Sequence, residues 1–214
     1  MAQCPSGRRV RKEIMDLQTW EMNLYGYAIF KMRTTIGQNG KSIYENFVQS
    51  HINFAQQGHE GAYFLPWHRQ LLYEFETQLQ RFAPVSIPFW DWTKPLPLSS
   101  LMVNQVFTRD PALIRFGGSS GRNIPGSPFK NFWTTIPSSH SIQRTFTVGG
   151  AARFAFISRS NLDVATRTTK SDFNTFSNYL ESMHGTPHVA IGGDMSMVTQ
   201  SPNDPLFWSP PRLR

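Results

Sequence analysis

Apolar side chains recur at helical spacing in four stretches of the chain and lose any period between the third and the fourth. From Leu17 to about Arg33, the run LQTWEMNLYGYAIFKMR places Trp20, Leu24, Ile29 and Met32 near one face and predicts an amphipathic helix. The turn GQNGKS follows, and Ile43 to Ala55 repeats the pattern with Phe47, Val48, His51 and Phe54. After the loop QQGHEGAYFL, Pro66 is expected to open a third helix, because its missing N–H is not needed in a first turn. Leu71, Leu72, Phe75, Leu79 and Phe82 then form one stripe. From Ala83 to about Ser171, Pro, Gly, Ser and Thr dominate, which predicts long loops with short strands or turns. Helical signals return at Asp172 and run through FNTFSNYLESMHGTPHVAI, before the closing SPNDPLFWSPPRLR.

Composition narrows the reading. With 214 residues, 39% of them hydrophobic, the chain can bury one substantial core, so a single domain over residues 1–214 is expected. No apolar stretch approaches the roughly 20 residues that span a bilayer. The opening MAQCPSGRRVRKEI lacks the apolar centre of a signal peptide, which leaves the compartment open. Cys4 is the only cysteine, excluding an internal disulfide and a cysteine-built zinc site. The net charge of +7 raises the question of nucleic acid. Its carriers argue against specific binding: Arg8, Arg9, Arg11 and Lys12 cluster, but Lys94, Arg115, Lys130 and Arg153 stand singly and no basic helix forms.

The six histidines are placed more informatively than they are counted. His51 falls on a predicted helix, His59 in the loop after it and His68 in the first turn of the next helix, so a short connection can bring three rings together. His184 and His188 lie one turn apart on one face. Imidazoles without thiolate or carboxylate partners suit copper, zinc, iron or nickel, with copper favoured by the affinity order. Two such clusters facing each other could hold a metal pair, about 3.5–4 Å apart in two-metal enzymes. Against this, a lone histidine on an apolar helix face is more often a core residue satisfied by one hydrogen bond. HGTPH also lacks the glutamate of a zinc-protease HExxH, because Gly185 stands in its place.

HEGAYFLPWHRQLLYEFE, followed by IPFWDWTK, resembles the copper A signature of tyrosinases, catechol oxidases and molluscan-type haemocyanins, and SPNDPLFW resembles their copper B signature. The pattern spans about Arg11 to Trp208. The resemblance implies a mainly α fold, an antiparallel four-helix-bundle core with long irregular loops. It implies His51, His59 and His68 as copper A ligands and His184 and His188 as two ligands of copper B. Arg69, Glu76, Trp90 and Asp91 occupy positions the family uses to brace the copper A helix, with a buried arginine paired to carboxylates. The activity implied is oxidation of phenols or o-diphenols to quinones by dioxygen. The partners implied are therefore a small phenolic substrate and dioxygen, with oligomeric state open. A family glutamate before the first copper B histidine, with an Asn after it, orients a water that deprotonates the phenol. Glu181 fills the first role, but Gly185 replaces the Asn, which tilts the expectation toward diphenols.

The resemblance fails at one place. After Trp208 the family continues Leu-His-His-Ala, the second histidine being the third copper B ligand, whereas this chain reads Ser-Pro-Pro-Arg-Leu-Arg. The domain is therefore expected to be incomplete there, with the last copper-bearing helix missing and copper B impaired. One T inserted after the Trp208 codon converts a coding sequence for Leu-His-His-Ala-Tyr into this ending. His140, in PSSHSIQ, is a poor substitute ligand. Two other functions compete: an inactive remnant or non-enzymatic copper- or oxygen-binding domain, and a mononuclear zinc hydrolase on HGTPH with Glu181 as base.

Overall fold

The computed structural model describes residues 9–91, 121–122, 129, 132–145, 159–168 and 172–209. Cys4, Arg8, Lys94, Arg115, Lys130, Arg153 and the tail from 210 onward lie outside the described residues. The chain is mainly helical. Helix α1 (Thr19–Thr34) buries Met22, Tyr25, Ala28, Ile29 and Met32, a three-and-four spacing that turns one face to the core. Trp20 and Phe30 are exposed on its other side. Helix α2 (Ile43–Phe54) starts at a capping box. There Ser42 Oγ accepts the Glu45 N–H at 3.1 Å and the Glu45 carboxylate accepts the Ser42 N–H at 2.9 Å.

Helix α3 (Phe64–Leu79) begins two residues before Pro66, which still sits in the first turn, where no N–H partner is lost. The expected stripe is buried through Leu71, Phe75 and Leu79. Helix α4 (Arg159–Thr168) corrects the expectation of loops up to Ser171. Its sequence is polar overall, but Leu162 and Ala165, three residues apart, are partly buried and buried, and the helix packs on the following one. Helix α5 (Phe173–Ile191) is capped by Asp172, whose carboxylate accepts the backbone N–H groups of Asn174 and Thr175. It runs through Pro187 and stops at Gly192, whose φ of +66° suits a residue without Cβ.

The strands are short, as expected for the middle of the chain. β1 (Gly121–Arg122) pairs antiparallel with β4 (Gln143–Arg144), and β2 (Trp133–Thr134) with β3 (His140–Ser141). The closing segment docks into the core. Trp208 stacks on Phe75 with centroids 3.8 Å apart and planes within 3°, and its Nε1 donates to Tyr44 Oη at 2.9 Å. Tyr44 Oη donates in turn to the Pro202 carbonyl at 3.0 Å.

Two buried carboxylates hold these parts in register. Asp204 meets Arg144 through two contacts of 2.6 Å, both side chains being 0% exposed. Glu76, on the inner side of α3, receives Arg9 at 3.2 Å, Arg11 at 3.0 Å and the Ile87 N–H at 2.9 Å. This revises the brace expected at Arg69, which is exposed. The arginines that neutralise Glu76 arrive from the N-terminal segment instead. Trp90 is buried, and the Asp91 N–H donates to Glu13 at 3.3 Å.

Candidate metal centre

Three imidazoles converge where α2, the following loop and α3 meet. His51, His59 and His68 each offer a ligand atom within 4.8 Å of the others. Ring centroids are 5.2 Å apart for His51–His59, 5.5 Å for His51–His68 and 5.0 Å for His59–His68. His59 Nδ1 donates to the Ala55 carbonyl and His68 Nδ1 to the Phe64 carbonyl, each at 2.8 Å. With Nδ1 protonated, the Nε2 lone pairs of both rings are free.

Burial sets the electrostatics. Loss of water pushes His51 down to about 2, reinforced by His68, His59 and His188, with a weak opposing pull from the Val198 backbone. Burial likewise lowers His68 to about 3, against the Phe64 hydrogen bond. These rings are neutral at ordinary pH, the state in which imidazole is a ligand. His51 is 1% exposed, yet neither of its nitrogens meets a hydrogen-bond partner of sound geometry, and His68 Nε2 is similarly buried and unpartnered. A core histidine is normally satisfied, and an unsatisfied buried polar atom costs about 1–3 kcal/mol. Aggregated nitrogen lone pairs of this kind are the donor set a late first-row metal ion takes.

The second pair lies on α5. His184 and His188 have centroids 4.5 Å apart, and the continuing helix across Pro187 keeps them on one face. His188 Nδ1 donates to the Met195 carbonyl at 2.8 Å, leaving its Nε2 available. Burial lowers the basicity of both rings, most strongly at His184, where His188, His68, His59 and His51 add to the effect. Two phenylalanines join this pair to the triad. Phe207 lies 5.1 Å from His51 and 6.0 Å from His188, and Phe64 lies 4.6 Å from His68 and 5.5 Å from His184. Among the described residues, no further side chain completes a three-donor group around His184 and His188.

The remaining candidates fall in different places. Glu181, on α5 near His59, accepts the Glu60 N–H at 2.7 Å, and burial raises its carboxyl pKa. That N–H is presented by a residue in the left-handed region, φ 58°. Gly185 has open space around its Cβ direction. His140, on β3, pairs with Asp194 and is not part of the triad. Phe64 and Phe207 were not legible as site residues, although their places four residues before His68 and within SPNDPLFW are signals in hindsight.

Imidazoles gathered from two helices and the loop between them, without thiolate or carboxylate in the triad, form a histidine group on a helical scaffold that could hold a metal ion. The family pattern described as the common central domain of tyrosinase matches residues 41–209, and the chain belongs to the tyrosinase family. It is 31% identical over 201 residues to a tyrosinase of Streptomyces lincolnensis, covering 82% of this chain and 71% of that protein. A tyrosinase-like protein of Caenorhabditis elegans is 29% identical over 224 residues, covering 95% of this chain but only 29% of that protein. A polyphenol oxidase of Thermothelomyces thermophila shares the fold, with a TM-score of 0.67 at 18% identity, covering 96% of this chain and 68% of that one. No helix among the described residues is long and apolar enough to cross a membrane.

Proposed function

We propose that the protein is a copper oxidoreductase acting on phenols or o-diphenols with dioxygen, with His51, His59 and His68 holding one ion and His184 and His188 contributing to a second. The observation that carries this reading is the set of buried, unpartnered nitrogens on His51 and His68 within a triad whose other contacts are satisfied. Copper held there would supply dioxygen binding and the two-electron oxidation of the phenol. The chain's own residues do the rest. Backbone carbonyls of Ala55, Phe64 and Met195 hold the protons at Nδ1 of His59, His68 and His188, so each Nε2 faces inward. Such partners fix the tautomer and orientation of ligand rings. Phe64 and Phe207 separate and shield the two groups of rings. Glu181, held by the Glu60 N–H and raised in pKa by burial, is the base that takes the proton of an entering phenol.

The second site is the weaker one. Residues 209–214 carry no histidine, so two rings of α5 stand where the family uses three donors. Two donors hold an ion less tightly than three, so the residues that stand directly after Trp208 are expected to weaken the second ion and to lower oxidase activity.

Copper titration of the metal-free chain, followed by catechol oxidation, tests the proposal. Two ions per chain with quinone formation support it, and no uptake at stoichiometric copper rejects it. Replacing residues 209–213 by Leu-His-His-Ala-Tyr separates the parts of the reading. Tighter binding of the second ion, with higher turnover, supports the missing-donor account. Unchanged binding overturns that account alone.

A further inference from the structure

The sixth histidine, His140, takes no part in either group of rings, yet it is tied to one of them through two intermediaries. His140 Nδ1 donates to the Ser138 carbonyl at 2.7 Å, and Nε2 faces Asp194 Oδ1 at 2.5 Å. The other oxygen of Asp194 accepts the Gln143 N–H at 2.6 Å. Asp194 is buried, and it lies in the 3-10 turn Gly193–Ser196 that follows α5. The next residue in that turn, Met195, provides the carbonyl that receives His188 Nδ1.

This turn cannot shift freely. Gly193 has φ +58°, and a Cβ there would collide with the Gln143 carbonyl oxygen. Its N–H donates to Thr145 Oγ1 at 3.0 Å, and the Thr145 N–H donates to the Ile191 carbonyl at 3.0 Å. Among the described residues, the turn is thus tied to the strand segment at Gly193 through Thr145 Oγ1 and at Asp194 through its carboxylate. A carboxylate that orients a peptide carbonyl, which in turn orients an imidazole, is an outer layer of support for a metal-ligating histidine.

We propose that Asp194, itself oriented by His140, is a positioning residue for His188, with the Met195 carbonyl as the link between them. The consequence for metal binding rests on the reading of His188 as a ligand. The effect on the His188 ring does not. With Asp194 in place, the Met195 carbonyl keeps the proton on Nδ1 and presents Nε2. Without it, the turn relaxes and the proton distributes between the two nitrogens.

The test is nitrogen-15 NMR of the His188 ring in the metal-free full chain, with copper titration alongside. Wild type is expected to show one tautomer, protonated at Nδ1. Asp194→Ala is expected to show a mixture and to weaken the second copper equivalent by about 10–100-fold, leaving the first within about twofold. Asp194→Asn, which keeps an acceptor for Gln143, is expected to restore most of the wild-type tautomer. His140→Ala is expected to give a smaller shift in the same direction, and it serves where Asp194→Ala does not fold. An unchanged His188 tautomer in either alanine variant overturns the proposal. If wild type takes up only one copper, the ligand reading of His188 fails, while the tautomer comparison still decides the positioning role.

Discussion

The two groups of histidines differ in how far apart in sequence their supports lie. The triad is built within one stretch, His51 to His68, and its backbone acceptors, Ala55 and Phe64, come from the same stretch. The α5 pair is a local feature too, but what holds it is not. His188 leans on Met195, Met195 sits in a turn held by Asp194, and Asp194 is bound by His140 and Gln143, about fifty residues earlier. Phe207, which closes the gap between the groups, hangs from a segment fixed by Asp204 and Arg144, sixty residues apart. A site assembled from one segment tolerates loosening elsewhere. A site assembled through long-range pairs depends on the whole fold.

The sharpest break of that contrast is Arg144→Ala. It leaves Asp204 charged and buried without its partner, and removing one member of a buried pair typically costs about 3–5 kcal/mol. Urea unfolding is expected to show that loss, and hydrogen exchange is expected to rise first around residues 193–208. Equal loosening around His51 to His68 would show that the two regions are one cooperative unit.

Next comes ligand removal. His51→Ala is expected to abolish uptake of the first ion and to lower catechol oxidation by more than about 100-fold, beyond the 10–100-fold typical of losing an outer support. His188→Ala is expected to affect only the second ion. Copper analysis after dialysis checks both, and loss of both ions in either variant would erase the distinction.

A smaller effect has the opposite sign. His51 holds buried nitrogens with no partner, so His51→Leu is expected to stabilise the metal-free chain by about 1–3 kcal/mol while destroying the site. Thermal unfolding without metal reads this directly. A fall in the midpoint would mean that the His51 ring is satisfied in solution.

The smallest structural effect belongs to Gly185→Asn. The space beside Gly185 admits a side chain, so stability is expected to change by no more than about 0.5 kcal/mol. The ratio of monophenol to diphenol turnover is expected to rise by about tenfold if the amide orients a water toward Glu181. An unchanged ratio would show that an amide at this position orients no water toward Glu181.

Much of the triad was legible because it depends on short spacings. His51 on α2, His59 in the loop and His68 near the start of α3 follow from helix periodicity and from Pro66. His184 and His188 share a face for the same reason, and Pro187 between them did not break the helix. The brace was less legible. The resemblance pointed to Glu76 as part of the brace, but nothing local says whether its arginines come from α3 or from the N-terminal segment. Helix α4 was missed because it is short and polar overall, with Leu162, Val164 and Ala165 as the only apolar residues among its ten.

The amino-acid order alone therefore determined helices α1, α2, α3 and α5 and the two groups of imidazoles, because each is a matter of residue type and spacing along a regular backbone. Only the tertiary structure decided that the groups adjoin across Phe64 and Phe207, that Arg144 finds Asp204, and that His140 reaches His188 through Asp194 and Met195. Those contacts join residues far apart in the chain. Their partners are selected by the exclusion of water from the assembled core, which makes an unpaired charge or polar group costly only once the chain has folded.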